Sequence, residues 1–490
     1  MSASPVSPRA IAVSRADEAV SPVAREGDNA YTLAAPLLTV AALALGAALQ
    51  LSDGHFTPKA FPWLTVALVV SLLAVAAPLL PRVSFSARAL TTLLGVGCLL
   101  QLAAFSMKPP GIYLTATWRR DHAPFFGGLL VAALLIGIGW WSPRPLRRWW
   151  FPALLLVHFL LGAWVIRGSP APPIDVFVFQ QESAAALLRG ANPYGLTFPD
   201  IYGSKPYYGP GLVVDGRLNF GFPYPPLSLF LALPGYLLAG DYRFSQLLSL
   251  TLAGVLLALA RPDRIGALVA TLLLFSPRVF FVLEQGWTEP FAITLLAATV
   301  ACARRWPRAL PLALGLLLAV KQTMVFIPLL AFLLVGGLGG WRDWLRLHWR
   351  AGLVALIVTL PLALGEVRGF ITAVITLQLY QPQRSDALSY VAALARAGLP
   401  APTWLAFVAL VPVLALALWR GARGPAGFAT AVGALYLVFF VLNKQAFCNY
   451  YFFALGALCC GIAATQPVAS TVAPSRHQSS ATKPGTATRS

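Results

Sequence analysis

Asp175 stands nine residues past the apolar run 149–166, at the point where a long polar stretch begins. A carboxylate at such a boundary can accept a proton from a hydroxyl. Taken alone, it reads as the cap of the helix that follows. Glu284 and Glu289 flank the segment Glu284-Gln285-Gly286-Trp287-Thr288-Glu289, just before another apolar run. They read as helix-start acids or as groups that bind hydroxyls or support Asp175. Lys321 interrupts apolar sequence by itself. A lone ammonium there is costly unless it pairs, serves a site or snorkels to the interface. Arg384 and Lys444 are further cations in polar segments, and Arg278, in an apolar run, is expected to pair with Glu284 or Glu289. Together these residues could bind an anion beside a proton acceptor.

Other chemistries find less material. The five His and five Cys form no ligand cluster and no C-x-x-C pair. That argues against a His-based metal site, a zinc site and a disulfide framework. Carboxylates are concentrated enough for a divalent metal, although no spacing demands one. The phosphate-cradling motif G-x-x-x-x-G-K-[ST] is absent, which argues against nucleotide-driven transport in this chain.

The elements that must position these residues are membrane spans. The chain has 490 residues, 58% apolar and 11% charged. An ordinary soluble domain carries about 25% charged residues. The composition excludes a cytosolic globular enzyme and a disordered chain, and it implies an all-α, polytopic transmembrane bundle. Apolar runs at 31–51, 61–80, 89–107, 124–141, 149–166, 244–260, 265–283, 290–303, 309–320, 322–338, 351–365, 402–419, 426–442 and 450–465 predict 12 to 14 spans. The pair 309–320 and 322–338 is alternatively one long or broken helix. The run 224–239 holds Pro225, Pro226 and Pro234 and reads as a re-entrant or interfacial helix.

Orientation follows from charge. The short loops 81–88, 142–148, 261–264, 302–308, 339–350 and 420–425 hold 15 Lys and Arg against Asp263 and Asp343. These are expected to be cytoplasmic. Eleven of the thirteen acids outside residues 1–30 fall on the opposite side. The net charge of +19 is then a topology signal rather than a nucleic-acid footprint. The basic, Trp-rich stretch with Arg342, Arg346 and Arg350 reads as headgroup anchoring. The expected divisions are flexible cytoplasmic tails 1–30 and 466–490, accessory spans 31–148 and a core 149–465. The expected site is external, on a multi-pass protein of the inner or plasma membrane.

The external loop 167–243 is the chemical centre. An amphipathic helix is expected from Asp175 to about Arg189, with Asp175, Phe179, Glu182, Ala186 and Arg189 on one face. Asn192-Pro193-Tyr194 and Phe222-Pro223-Tyr224-Pro225-Pro226-Leu227 follow, and Gly240-Asp241-Tyr242-Arg243 opens the next span. With Glu284-Gln285-Gly286-Trp287-Thr288-Glu289, Lys321-Gln322, Arg384-Ser385-Asp386-Ala387-Leu388-Ser389 and the segment Asn443 to Tyr451, this order over roughly 149–465 resembles the GT-C glycosyltransferases. These are integral membrane enzymes that use polyprenyl-phosphate sugars, here of the bacterial mannosyl- and arabinosyltransferase kind.

The resemblance implies an inverting sugar transfer with Asp175 as general base. A polyprenyl phosphate already leaves well, so the paired acid and base of a glycosidase are not required. Lys321, Arg384 and Lys444 are the expected donor phosphate ligands. Glu182, Asn192, Tyr194, Tyr224, Glu284, Gln285, Glu289 and Tyr450 are expected to bind sugar or acceptor. Asn192, Tyr194 and Tyr224 read first as loop-shaping. The acceptor is a lipid, a glycan or a protein. Two other classes compete. A transporter or lipid flippase would show internal repeats and mid-membrane ionisable residues, whereas no clear repeat is evident. A polysaccharide polymerase or ligase of another membrane fold would centre on Arg and His, and external His is scarce.

Overall fold

The computed structural model describes residues 30–81, 83–141, 144–203, 205 and 207–468. Apart from residue 30 and residues 466–468, the two tails expected to be flexible lie outside the described residues. The described chain is mostly helical. Eight helices are long and apolar enough to cross a membrane: Ala34–Ser52, Pro58–Val75, Ala87–Met107, Ala123–Trp141, Arg148–Gly168, Arg243–Ala260, Leu338–Gly365 and Gly424–Val441. The pair Arg264–Leu274 and Val279–Gln285, bent by 49°, makes a ninth if taken as one span. The chain is by these helices a multi-pass membrane protein.

The expected count of 12 to 14 spans is corrected on length. The segments Pro307–Val320, Gln322–Val335, Leu405–Arg420 and Cys448–Ala464 are apolar and helical but have only 10–17 residues. At about 1.5 Å per residue such helices fall short of a hydrocarbon core about 30 Å thick. The break at Lys321 is sharp: its φ of −154° and ψ of 141° are extended, so 309–338 is not one continuous helix. The proline-bearing run becomes the 14-residue helix Pro226–Ala239, opened by proline in its first turn and closed by left-handed Gly240.

The core is continuous from the first helices to the last. Helix Cys448–Ala464 packs on Gly424–Val441, Ala34–Ser52 and Glu289–Arg305, and Ala87–Ala104 packs on Arg264–Leu274. Small residues permit the close approach. A Cβ at Gly433 would lie 2.8 Å from a Leu458 methyl, and one at Gly456 would lie 2.8 Å from Ile293. Residues 167–243 have an apolar centre of their own, built on Phe179, Tyr194, Phe198, Phe220 and Phe222, with Val374 and Leu377 against it. A three-stranded antiparallel sheet of Phe198–Pro199, Arg217–Leu218 and Val213–Val214 stiffens this loop. The loop is therefore a folded unit.

The two ends of the bundle differ chemically. At one end Ala30–Thr32 pairs antiparallel with both Ser84–Ser86 and Pro467–Val468. Arg261 there hydrogen-bonds Tyr31 and the Thr465 carbonyl, and Arg304 hydrogen-bonds the Ala260 and Ala464 carbonyls. The other end gathers Asp53, Asp175, Glu284, Glu289 and Asp386. It is organised by Arg243, which is fully buried. Its Nε donates to Asp241 at 3.0 Å, its Nη1 to the Glu284 carbonyl at 2.9 Å and its Nη2 to the Ser169 carbonyl at 2.7 Å. The guanidinium also lies 4.9 Å from the Phe177 ring centre.

Lysine cannot reproduce this fork. Arg243→Lys is expected to destabilise the protein by roughly 3–5 kcal/mol, the cost of stripping partners from buried charge. Thermal unfolding in detergent checks this. An unchanged midpoint would show that the fork is dispensable.

Candidate functional site

Asp175 is the first residue of the helix Asp175–Leu188, with Ile174 in the capping position. Asp175 does not occupy the expected capping position and no side chain caps the helix; its Oδ1 accepts the adjacent Val176 N–H at 2.8 Å. The other oxygen, Oδ2, accepts the Tyr208 hydroxyl at 2.8 Å, and the Asp175 N–H donates to the Tyr202 hydroxyl at 3.2 Å. Burial raises the carboxyl above its ordinary value; the Tyr208, Val176 and Tyr202 hydrogen bonds and the Arg384 charge oppose it without cancelling it. The result is a partly buried carboxylate, more basic than usual, set in a wall of tyrosines.

The expected helix forms, so Asp175, Phe179, Glu182 and Ala186 lie along one side of it, but that side is not uniformly buried. Phe179 and Ala186 are buried, whereas Glu182 and Arg189 are exposed. The buried positions are Val176, Phe179, Gln180, Ser183, Ala184 and Ala186, because the helix packs on the loop's aromatic centre. Glu182 is exposed two helical turns beyond Asp175 and makes no hydrogen bond or ion pair with the residues around Asp175 among the described residues.

Glu289 and Lys321 meet as a buried ion pair. Asn449 Nδ2 donates to the same Glu289 oxygen at 2.9 Å. The Lys321 ammonium lies 5.5 Å from the Tyr450 ring centre and 5.9 Å from that of Tyr224. Tyr224 and Tyr450 each feel the charges of both Asp175 and Glu289, so the two carboxylates share one electrostatic neighbourhood. Gln322 Nε2 donates to the Pro223 carbonyl at 3.2 Å, which ties this break to the Tyr224 segment. Glu289 Oε2, Thr288 Oγ1 and Gln322 Oε1 are buried and unpartnered among the described residues.

Arg384 grips Asp386 with two hydrogen bonds of 2.6 and 2.7 Å and stacks 3.8 Å from the Tyr207 ring centre. Burial would raise the Asp386 carboxyl, but the Arg384 hydrogen bonds and charge win and hold it below its ordinary value. The Arg384 N–H donates to the Lys444 carbonyl at 2.9 Å, joining the two polar segments. Lys444 Nζ donates to the Leu379 carbonyl at 3.1 Å and makes no ion pair among the described residues. Burial lowers its pKa.

Several expected ligands turn out to be struts. The Glu284 carboxylate accepts the Ile112 and Tyr113 N–H groups, each at 2.8 Å, and Gln285 Nε2 lies 3.3 Å from it. Both oxygens are occupied in holding the 108–115 loop, so Glu284 and Gln285 are not free for a sugar. Asn192 accepts the Tyr194 N–H at 3.1 Å and donates to the Leu362 carbonyl at 2.9 Å. The buried Tyr194 hydroxyl donates to the Tyr224 carbonyl at 2.7 Å. These two shape the loop. Arg278 pairs with neither expected glutamate: it meets Asp53, whose other oxygen lies 3.0 Å from Lys108, and its Nη1 reaches the Pro109 carbonyl at 2.8 Å.

Glycine sets two close approaches here. Gly286 has φ +71°, and a Cβ on it would lie 2.1 Å from the Tyr242 hydroxyl, which donates to the Gly286 carbonyl at 2.7 Å. Gly54 has φ +78°, and a Cβ there would lie 1.9 Å from the Cys448 nitrogen. The loop after the first helix thus abuts the start of the last. His55 reaches within 3.8 Å of Asp386, and the Phe56 N–H donates to its carbonyl at 2.8 Å.

Tyr202, Tyr207, Tyr208, Asn449 and Asp53 were not singled out by sequence reasoning. The signal for the tyrosines was their density in the loop, five between 194 and 224. No group of three or more His, Cys, Asp or Glu side chains able to hold a metal ion occurs among the described residues. No family model, curated protein or solved structure matches the chain.

Removing the ammonium should strand Glu289. Lys321→Met is expected to cost roughly 3–5 kcal/mol, and Lys321→Met with Glu289→Gln should recover much of it. Melting curves of the single and double variants decide this. If the double variant is no better than the single, the pair is not the stabilising unit.

Proposed function

We propose that this protein transfers a sugar from a polyprenyl-phosphate donor to an acceptor hydroxyl at the acidic end of the bundle, with Asp175 as general base and inversion at the anomeric carbon. The observation that supports this most is the Asp175 carboxylate itself. It is more basic than an ordinary Asp, held by Tyr208 and one backbone N–H, and it feels the charge of Arg384, whose N–H donates to the carbonyl of Lys444, a cation that makes no ion pair among the described residues. The acceptor O–H gives its proton to Asp175 as the oxygen attacks the anomeric carbon, and the C–O bond to the phosphate breaks with its electron pair on the phosphate. Lys444 is the best candidate to receive that charge, since Lys321 is neutralised by Glu289 and Arg384 by Asp386. The acidic end would face the periplasm or exterior and the arginine-rich end the cytoplasm.

Burial makes the charged form of Asp175 costly, so a neutral isostere should not loosen the fold. Asp175→Asn is expected to keep the wild-type melting temperature and to lose transfer by about 10²–10⁴-fold. The assay is reconstitution with a panel of polyprenyl-phosphate sugars. Wild-type-like turnover of the variant would sink the role of Asp175. Cleavage of no donor, together with solute uptake by proteoliposomes, would favour a transporter.

The pH dependence follows from the same carboxyl. Transfer needs it ionised, so activity should rise with pH through an acid limb above the usual 3.8 of Asp. Tyr208→Phe removes a donor that favours the carboxylate, so its limb should move to higher pH. A limb that stays put or moves down would separate Tyr208 from the base.

A further inference from the structure

At the arginine-rich end, remote from Asp175, lies a cavity of about 530 Å³. That volume is within the usual range for small-molecule sites. Its walls are apolar, among them Val75, Pro78, Leu333, Ala417 and Ala431, and none of its lining residues is acidic. Two arginines line it. Arg304 spends Nε and Nη1 on the Ala260 and Ala464 carbonyls, and its Nη2 has no hydrogen-bond partner among the described residues. Arg423 is exposed and makes no hydrogen bond or ion pair among the described residues. It precedes helix Gly424–Val441, whose start no side chain caps.

The cavity's position fixes what kind of ligand can reach it. Helices Phe61–Val75 and Leu405–Arg420 both pack on Gly424–Val441 but touch each other little, leaving a cleft with that helix as its floor. Outside the cleft the flanks are apolar and exposed: Val69, Leu73 and Leu79 on one side, Val411 and Trp419 on the other. In a membrane protein these surfaces face lipid. The ligand must therefore combine an anionic head with a hydrocarbon body. Basic pockets between spans recognise anionic lipid headgroups by this combination of charge and access.

We propose that this cavity is a binding site for an anionic phospholipid, its phosphate against Arg423 and Arg304 and an acyl chain along the apolar wall. The inference is independent of the sugar-transfer reading. It concerns the opposite end of the bundle and uses none of the same residues.

The full chain, delipidated in detergent, is titrated with dioleoyl-phosphatidylglycerol, dioleoyl-phosphatidylcholine or inorganic phosphate, and retained lipid is counted by native mass spectrometry. Wild type should retain phosphatidylglycerol in preference to phosphatidylcholine. Arg423→Gln should lower that preference about fivefold. Ala422→Glu, at an exposed lining position, should do the same by repulsion, whereas Lys59→Gln at the opposite end should not. Equal retention of the two lipids by wild type would overturn the site. So would unchanged preference in both cavity variants, or an equal loss in Lys59→Gln. Displacement of phosphatidylglycerol by inorganic phosphate at millimolar concentration would assign the arginines to a free anion instead. A photo-reactive residue at position 422 that captures a peptide of the same chain or of a second copy, rather than lipid, would also overturn it.

Discussion

The fully buried Arg243 guanidinium is the joint on which the acidic end depends. It clamps Asp241, the Ser169 carbonyl and the Glu284 carbonyl at once. Ser169 lies on the segment that leads to Asp175, and Glu284 lies on the segment that leads to Glu289 and its partner Lys321. The two chemically distinct halves of the site are therefore spaced by one fork of hydrogen bonds. A planar cation with five donors can do this in a low-dielectric interior, because each carbonyl offsets part of its lost hydration.

The same constraint shapes the rest of that end. Charges are scarce, and those drawn inside find partners: Arg278 with Asp53, Lys321 with Glu289, Arg384 with Asp386. Each pair joins segments far apart in sequence or stiffens a turn at the site's rim. Two carboxylates are exceptions among the described residues: Glu284, spent on the Ile112 and Tyr113 N–H groups, and Asp175. The direct partners of Asp175 are neutral tyrosines and a backbone N–H, with Arg384 acting only at longer range. A carboxylate left without a contacting cation keeps its basicity, which is what proton abstraction requires. The first helices belong to this arrangement too, since the turn at Asp53 to Phe56 sits against both the Asp386 segment and Cys448.

The fold was largely legible because apolar runs are long and charge is sorted by side. Where it was misread, the reason was local. Lys321 adopts an extended backbone and breaks a run into two short helices, and Pro277-Arg278 lies at a 49° bend. The overcount of spans came from helices such as Pro307–Val320 and Leu405–Arg420, which are apolar but too short to cross alone. Helix 175–188 carries Asp175 and Glu182 on one side as expected, but which of its residues are buried was not legible, because the aromatic centre that covers Phe179 and leaves Glu182 exposed is assembled from residues 194–229 and 373–377. No pattern within the helix reports that.

The sequence by itself determined that this is a multi-pass helical membrane protein and that most of its acids fall on the side away from its basic short loops. Both follow from the free-energy cost of charge in a bilayer, which acts on residue type and position along the chain. Only the tertiary structure decided which charges cancel. It turned Glu284, Gln285, Asn192 and Tyr194 into struts, neutralised Lys321 and Arg384, and left Asp175 in a tyrosine wall, with Lys444 making no ion pair among the described residues. Pairing over distances of 32 to 225 residues depends on packing between helices, which composition and spacing do not encode.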